Sequence, residues 1–167
     1  MSRGKSEEWM NVFDRLPDDA RRFTEIEQVA DGIARFYGFE KILLSPVEAS
    51  HAFSALARSG FLEERPPVLC RTSAGEEFIL SPAGALGVLR AYFSQRMHTL
   101  PHPVKILFRS RGFWLNRRRQ NLPPDTAPFA AADEWGLVII GEEGPVAETE
   151  IIQVLYKTAA ELGINNG

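Results

Sequence analysis

One stretch, residues 78–92, constrains the fold more than any other part of this chain: Phe-Ile-Leu-Ser-Pro-Ala-Gly-Ala-Leu-Gly-Val-Leu-Arg-Ala-Tyr. It begins as an apolar strand, passes through a Pro-Ala-Gly turn and continues with helical spacing of its apolar residues, which predicts a helix over 84–98. We expect that helix to bury Leu86, Leu89, Phe93 and Met97.

The rest of the chain alternates short apolar runs with amphipathic segments. The patterns predict helices over 19–37, 51–59 and 146–162, strands over 39–44, 68–72, 77–80, 104–108, 111–117 and 135–140, and a flexible loop over 121–128. Hairpins join several strands, and strict strand–helix alternation is lacking. We therefore predict an α+β fold, a mainly antiparallel sheet flanked by helices, in a single domain over 13–164 after a frayed 1–12.

Composition excludes several classes of protein. The chain has 167 residues, a formal net charge of −3, one cysteine and three histidines. No apolar run approaches the ~20 residues of a membrane span, and Met1 to Glu8 lacks the apolar segment of a secretory signal. One cysteine excludes an internal disulfide, and the histidines are not at metal-ligand spacing. We expect a cytoplasmic protein with no metal and no membrane partner.

Positive charge is concentrated in one short segment, whereas the chain as a whole is acidic. Five arginines without an intervening acid make up this segment: Arg109, Arg111, Arg117, Arg118 and Arg119. Such a cluster can bind the phosphates of a nucleotide or of RNA, because local charge outweighs net charge for anionic partners. The alternative is a solvated strand edge, or ion pairs with glutamates elsewhere in the chain.

The strand–turn–helix segment resembles a pattern of histidyl-tRNA synthetases, Leu-Arg-Pro-Glu-Gly-Thr-x-x-x-x-Arg. Four positions of that pattern are retained: Leu80, Pro82, Gly84 and Arg90. Three positions where the family has polar side chains that hold the amino acid carry small ones: Ser81, Ala83 and Ala85. The resemblance implies a class II aminoacyl-tRNA synthetase core from which these binding groups have been lost.

Three further segments carry the same resemblance over about 13–164. Residues 36–48 resemble motif 1 of class II synthetases, 72–75 its Asp-x-x-Gly hairpin, and 147–152 the Asp-Ala-Glu-x-Ile helix. In the family, motif 1 forms the homodimer interface. The resemblance therefore implies a homodimer, with six interface positions: Phe36, Tyr37, Phe39, Ile42, Leu44 and Pro46.

Motif 2 is where the sequence departs from the family. There, a Phe-Arg-x-Glu strand directs an arginine to the α-phosphate of ATP and to the carboxylate. Counting from Lys105 places Phe113 on the phenylalanine, Trp114 on the arginine and Asn116 on the glutamate. An indole cannot neutralise a phosphate as a guanidinium does. With Glu134 and Val138 at two amino-acid-reading positions, the degenerate pocket comprises Ser81, Ala83, Ala85, Trp114, Asn116, Glu134 and Val138.

The sequence contains no counterpart of motif 3, Gly-x-Gly-x-Glu-Arg, nor of the anticodon-binding domain. We therefore expect a non-catalytic, dimeric regulatory or binding module without a cofactor, similar to the regulatory subunit of ATP phosphoribosyltransferase. One alternative is a fragment of a ligase that activates histidine with ATP and whose motif 3 lies downstream or on another chain. The other is an RNA-binding module, with tRNA rather than a protein as the partner of the arginine cluster.

Overall fold

The computed structural model describes residues 14–50, 65–116 and 129–164. Its contacts group the chain into two compact units. Unit 1 comprises Met1–Asp14, Leu44–Arg90 and Ser110–Glu134, and unit 2 comprises Arg15–Leu43, Ala91–Arg109 and Trp135–Gly167. Within the described residues, three α-helices and two three-stranded sheets confirm the predicted α+β class.

Helix α1 spans Pro17–Phe36 in unit 2, close to the predicted 19–37. Proline in its first turn has no amide hydrogen to leave unpaired, and two aspartates complement the positive end of the helix dipole. The helix ends before Gly38, which adopts a φ of 82° that favours glycine. Its buried face includes Ala30 and Ala34, both small enough for close packing.

One sheet has the order β1-β5-β6, with β1 at Glu40–Leu43, β5 at Val104–Leu115 and β6 at Phe129–Ile140. β1 pairs with β5 in parallel, Glu40 opposite Ile106 and Leu43 opposite Arg109. Helix α3, Pro145–Glu161, packs against α1. The buried core of unit 2 comprises Ala34 of α1, Phe39, Leu107 of β5 and Val154 of α3, and partly buried side chains of β6 pack against it: Trp135, Leu137 and Ile139.

Unit 1 contains an antiparallel sheet of order β2-β4-β3, with strands at Val47–Ala49, Glu77–Leu80 and Val68–Arg71 respectively. The predicted hairpin between β3 and β4 is present, and Gly75 adopts a φ of 89° at its turn. After β4 the chain enters helix α2, Gly84–Ser94. The strand–turn–helix prediction for 78–92 is therefore confirmed.

Several element predictions need correction. The two strands predicted over 104–108 and 111–117 form one strand, β5, and the 84–98 helix ends at Ser94 before a separate 3-10 turn at Met97–Thr99. Leu89 and Phe93, which we expected to be buried, are exposed. The strands form two sheets rather than one, and β1 pairs in parallel. The predictions for 1–12, 51–59 and 121–128 lie outside the described residues.

Two kinds of feature are absent from the part of the chain that the structure describes. None of its helices combines the length and the apolar character that a bilayer span requires. Likewise, no group of histidine, cysteine, aspartate or glutamate side chains in 14–50, 65–116 and 129–164 is arranged to hold a metal ion.

Candidate functional site

The turn that precedes α2 lies directly against β5 in unit 1. The Phe113 amide donates a hydrogen bond of 2.9 Å to the Ser81 carbonyl. A Cβ atom at Gly112 would lie 2.6 Å from the Pro82 carbonyl oxygen, so only glycine allows this approach of the two backbones. Ser81, Pro82 and Gly112 are all buried. The turn is thus held in place at the position that the sequence assigns to the degenerate pocket.

Glu134, near the middle of β6, directs its carboxylate to the first residue of α2. The Gly84 amide donates to Oε2 at 2.7 Å, and the Ser110 hydroxyl donates to the same oxygen at 3.3 Å. Arg65 Nη1 donates to Oε1 at 2.5 Å. A carboxylate at the start of a helix is stabilised by the free amide groups and the helix dipole. We call Arg65, Gly84, Ser110, Trp114 and Glu134 the Glu134 cluster.

Arg65 occupies the space in front of Trp114. Its guanidinium carbon lies 4.5 Å from the centre of the indole ring, within the range of a cation–π interaction. A second, longer hydrogen bond of 3.4 Å joins Arg65 Nη1 to the Pro82 carbonyl. Trp114, which the resemblance matches to an arginine of the family, thus contacts a cation from elsewhere in the chain, and that cation is paired with Glu134.

Sequence reasoning missed Arg65. The residue stands immediately before Pro66 and Pro67 and matches no motif, so nothing in its local sequence pairs it with Trp114 or Glu134. The one available signal was Glu134 itself, since a partly buried carboxylate requires a partner. Such an argument predicts that a cation is present but does not identify which one.

The remaining pocket positions are less closely associated. The Ser81 hydroxyl is buried and donates to the Ala83 carbonyl at 3.0 Å, so it is not directed toward a ligand. Ala83 is buried, Ala85 is exposed and Asn116 is half-buried, all in unit 1. Val138 belongs to unit 2. The structure therefore brings Trp114 and Glu134 into one cluster through Arg65, and gives the alanines no polar role.

Two of the five clustered arginines lie in the described residues, and both have carboxylate partners. Arg109 pairs with Glu27 and, at 2.6 Å, with Asp31. Arg111 donates to both oxygens of Asp133 at 2.6 and 3.0 Å, and these hydrogen bonds, which outweigh partial burial, raise its pKa. Arg117, Arg118 and Arg119 lie outside the described residues.

Asp31 is the centre of a second charged group, in unit 2. Its carboxylate accepts hydrogen bonds from Lys41 at 3.0 Å, Arg109 at 2.6 Å and the Trp135 indole at 3.0 Å. Burial by itself raises the pKa of Asp31, but the three hydrogen bonds and the charge of Arg109 outweigh it, so that the pKa lies below its ordinary value. We call Glu27, Asp31, Lys41, Arg109 and Trp135 the Asp31 cluster.

The predicted dimer-interface positions divide by exposure. Phe36 is 84% exposed, and its neighbour in the same segment, Leu43, is 85% exposed. Phe39 instead lies in the core of unit 2, so its side chain is not available to a partner. The other positions range from half-buried to exposed: Tyr37, Ile42, Leu44 and Pro46. The interface itself stays a prediction.

Comparisons with known proteins support the sequence resemblance. No family model matches the chain. The histidine–tRNA ligase of Aquifex aeolicus is 26% identical over 152 residues, which cover 90% of this chain and 36% of that protein. The enzyme of the same name from Desulforudis audaxviator is also 26% identical, over 90% of this chain and 35% of its own length. The chain therefore spans about a third of the length of the curated relatives that it matches.

Solved structures confirm the fold. Apo histidyl-tRNA synthetase of S. aureus superposes with a TM-score of 0.67 at 22% identity, covering 90% of this chain and 33% of that one. An ATP phosphoribosyltransferase regulatory subunit/histidyl-tRNA synthetase from Bacillus halodurans gives a TM-score of 0.71 at 18% identity, covering 88% of this chain and 35% of that one. The chain is thus histidyl-tRNA synthetase-like in sequence, with the fold of a class II synthetase core.

Proposed function

We propose that this chain acts by binding rather than by aminoacyl transfer, as a dimeric regulatory module built on a histidyl-tRNA synthetase-like core. The observation that carries the proposal is the Glu134 cluster. Trp114 stands at the position that the resemblance matches to the family's phosphate-binding arginine, and the cation over its ring, Arg65, is paired with Glu134 at 2.5 Å. A guanidinium that is already paired with a carboxylate attracts an α-phosphate less strongly than an unpaired one.

The physical argument concerns charge in the transition state. Adenylation of an amino acid develops negative charge on the α-phosphate, and a fixed cation there typically contributes several orders of magnitude in rate. In the Glu134 cluster the Arg65 guanidinium is hydrogen-bonded to the Glu134 carboxylate, and the two opposite charges neutralise each other. The cluster therefore stabilises its own closed arrangement rather than a reacting phosphate.

The comparison with the Bacillus halodurans structure supports a regulatory role by analogy of fold. Its name combines an ATP phosphoribosyltransferase regulatory subunit with a histidyl-tRNA synthetase. This fold is thus associated with a regulatory subunit as well as with a tRNA synthetase. The RNA-binding alternative has weaker support, because Arg109 and Arg111 already form ion pairs with carboxylates.

Histidine-dependent exchange of pyrophosphate into ATP tests the loss of catalysis. We expect no exchange above background for this chain, nor for the longest protein that contains it. The variant Trp114→Arg is the matched control: it restores a cation at this position, but Ser81, Ala83 and Ala85 still lack the polar groups expected to hold the amino acid, so we expect it to remain inactive as well. Exchange by the unmodified protein would refute the proposal and favour the ligase alternative.

Sedimentation velocity at micromolar concentration tests the dimer. We expect a dimer that Leu43→Asp converts to a monomer, because Leu43 is almost fully exposed in the motif 1 segment. Tyr156→Asp is the matched control, since Tyr156 is a comparably exposed apolar side chain on α3, outside that segment. A monomeric unmodified chain, or equal effects of both variants, would remove the proposed interface.

A further inference from the structure

The outer side of helix α3 carries no charge, although it is exposed to solvent. Ala147, Val154 and Thr158 form the buried stripe of this helix. At about 3.6 residues per turn, the residues on the opposite side form a second stripe. Its members are all exposed and uncharged, and we call them the α3 outer face: Pro145, Val146, Thr149, Ile152, Gln153 and Tyr156.

Helix α1 of the same unit shows the ordinary composition of an exposed helix face. It packs against α3, and its exposed residues include Arg21, Arg22 and Glu25. Charged side chains on the solvent side are typical of a surface helix. On the α3 outer face, Ile152 and Tyr156 are instead 64% and 73% exposed. Neighbouring apolar side chains at this exposure are typical of a surface that a partner covers.

A cavity of about 370 Å³ opens at the N-terminal end of the α3 outer face. Its lining includes Val146, Thr149 and Gln153. The carboxylate of a fourth lining residue, Glu150, is paired with Lys105 at 2.6 Å. Because these walls are neutral or already paired, the cavity suits an apolar side chain rather than a charged one.

The acids around the α3 outer face determine what kind of partner fits it. α3 contains three glutamates and one lysine, and Glu148 and Glu161 are exposed near its two ends. Glu143 is a further exposed acid just before the helix. The Lys157 ammonium lies 5.6 Å from the centre of the Tyr37 ring. A second copy of α3 would therefore bring acids against acids, whereas a basic helix would meet opposite charge.

We propose that the α3 outer face binds an amphipathic helix of a partner protein whose apolar stripe is flanked by lysine or arginine. One apolar side chain of that helix enters the cavity, and its basic residues face the exposed glutamates. An apolar helix face laid against a complementary surface is a common mode of recognition. This inference deepens the proposed function, on which it rests, because it gives the regulatory module a docking surface that uses none of the predicted dimer-interface residues.

A designed helical peptide tests the proposal. The probe is a fluorescein-labelled peptide of about five helical turns, with leucine along one stripe and lysine at the other positions. The control peptide has the same leucine stripe and glutamate in place of lysine. Fluorescence anisotropy should show saturable binding of the leucine–lysine peptide, with a Kd of about 1 to 100 μM, and about tenfold weaker binding of the control. No saturable binding of the leucine–lysine peptide, or equal binding of both peptides, would overturn the proposal.

Variants of the chain locate the binding site. Ile152→Ala combined with Tyr156→Ala should weaken binding of the leucine–lysine peptide about tenfold, because two largely exposed apolar side chains are truncated. Phe93→Ala is the matched control, since Phe93 is a comparably exposed aromatic side chain on α2. Glu148→Lys should weaken binding at low salt and have little effect at high salt. Unchanged binding in the double variant, or an equal loss in Phe93→Ala, would contradict the assignment to α3.

Two further measurements separate the remaining outcomes. The truncated side chains are exposed, so the double variant should fold; if it does not, Ile152→Ala alone should still weaken binding about threefold. Sedimentation velocity tests the alternative occupant, because conversion of a dimer to a monomer by the double variant would show that a second copy covers this face and would overturn the proposal. Peptide binding and pyrophosphate exchange are measured independently, so this inference and the proposed loss of catalysis fail separately.

Discussion

The Asp31 cluster and the Glu134 cluster contain the same kinds of side chain in different arrangements. Each combines a carboxylate, at least one cation and a tryptophan, but the side chain of Asp31 is 8% exposed whereas that of Glu134 is 19% exposed. Trp135 donates its indole N–H to Asp31, whereas Trp114 offers its ring face to Arg65. Trp135 thus contacts the acid itself, whereas Trp114 contacts the cation that is paired with the acid.

This difference distinguishes a more buried carboxylate that several donors surround from a more exposed carboxylate that neutralises the cation beside Trp114. Asp31 is surrounded by donors from β1, β5 and β6, so the removal of its charge leaves two cations without their shared partner. Glu134 has one cationic partner, and that partner is more exposed to water. Water can replace much of what Glu134 provides to Arg65 but little of what Asp31 provides to Arg109.

The largest expected effect follows from Asp31→Ala. Loss of the acid leaves partly buried charges on Lys41 and Arg109, which costs on the order of 3 kcal/mol of unfolding free energy. Urea denaturation measures the change. The matched control is Asp18→Ala in the same helix, whose exposed ion pair with Arg21 is worth less than about 1 kcal/mol. Equal effects of the two variants would show that Asp31 is not a structural centre.

Gly112→Ala should follow, at about 2 kcal/mol of destabilisation. The added Cβ would lie 2.6 Å from the Pro82 carbonyl oxygen, which is backbone and cannot move aside cheaply. The control is Gly32→Ala in α1, where the Cβ meets no atom within 4 Å and the better helix propensity of alanine should stabilise by about 0.5–1 kcal/mol. Thermal unfolding should show shifts of opposite sign, and a tolerated Gly112→Ala would mean that the turn is not held against β5.

Glu134→Ala should cost less, about 1 kcal/mol, because its partner Arg65 can turn toward solvent. Urea denaturation of Glu134→Ala and Asp31→Ala under the same conditions compares the two clusters directly, because each variant removes one carboxylate. A larger loss for Glu134→Ala than for Asp31→Ala would reverse the roles that we assign to them.

The smallest effect is a difference in pH dependence. The pKa of folded Asp31 lies below its value of about 3.9 in the unfolded chain, so this acid stabilises the fold fully above pH 4 and loses that contribution as pH falls through the folded pKa. The unfolding free energy of the unmodified chain should thus fall more steeply below pH 4 than that of Asp31→Asn. Parallel curves from denaturation at several pH values would show that Asp31 does not contribute.

Sequence patterns predicted the helices and strands well where the signal lies within a few neighbouring residues. Strand β4 was predicted at its observed bounds, and α1 and α3 within two residues, because apolar spacing and capping residues act over a few positions. The buried face of α2 was not predictable in this way. Both Leu89/Phe93 and Val88/Tyr92 have helical spacing, and only tertiary packing selects the second pair for burial.

The misreading of β5 and the omission of Arg65 have a shared physical cause. Two strands were predicted over 104–108 and 111–117, but β5 is continuous, and Gly112 lies within it because another backbone approaches within contact distance there. Arg65 reaches Glu134 and Trp114 across long sequence separations that no spacing rule describes. The sequence resemblance pointed to Trp114 and Glu134 as changed positions, and the structure places the Arg65 guanidinium in contact with both.

The most direct test of the closed Glu134 cluster is a crystal structure from crystals grown with millimolar ATP and histidine. Our account predicts the Arg65 guanidinium against the Trp114 ring, the Glu134 carboxylate on the Gly84 amide, and neither ligand bound at the cluster. Nucleotide bound there with the Arg65 guanidinium turned onto its α-phosphate would contradict the account.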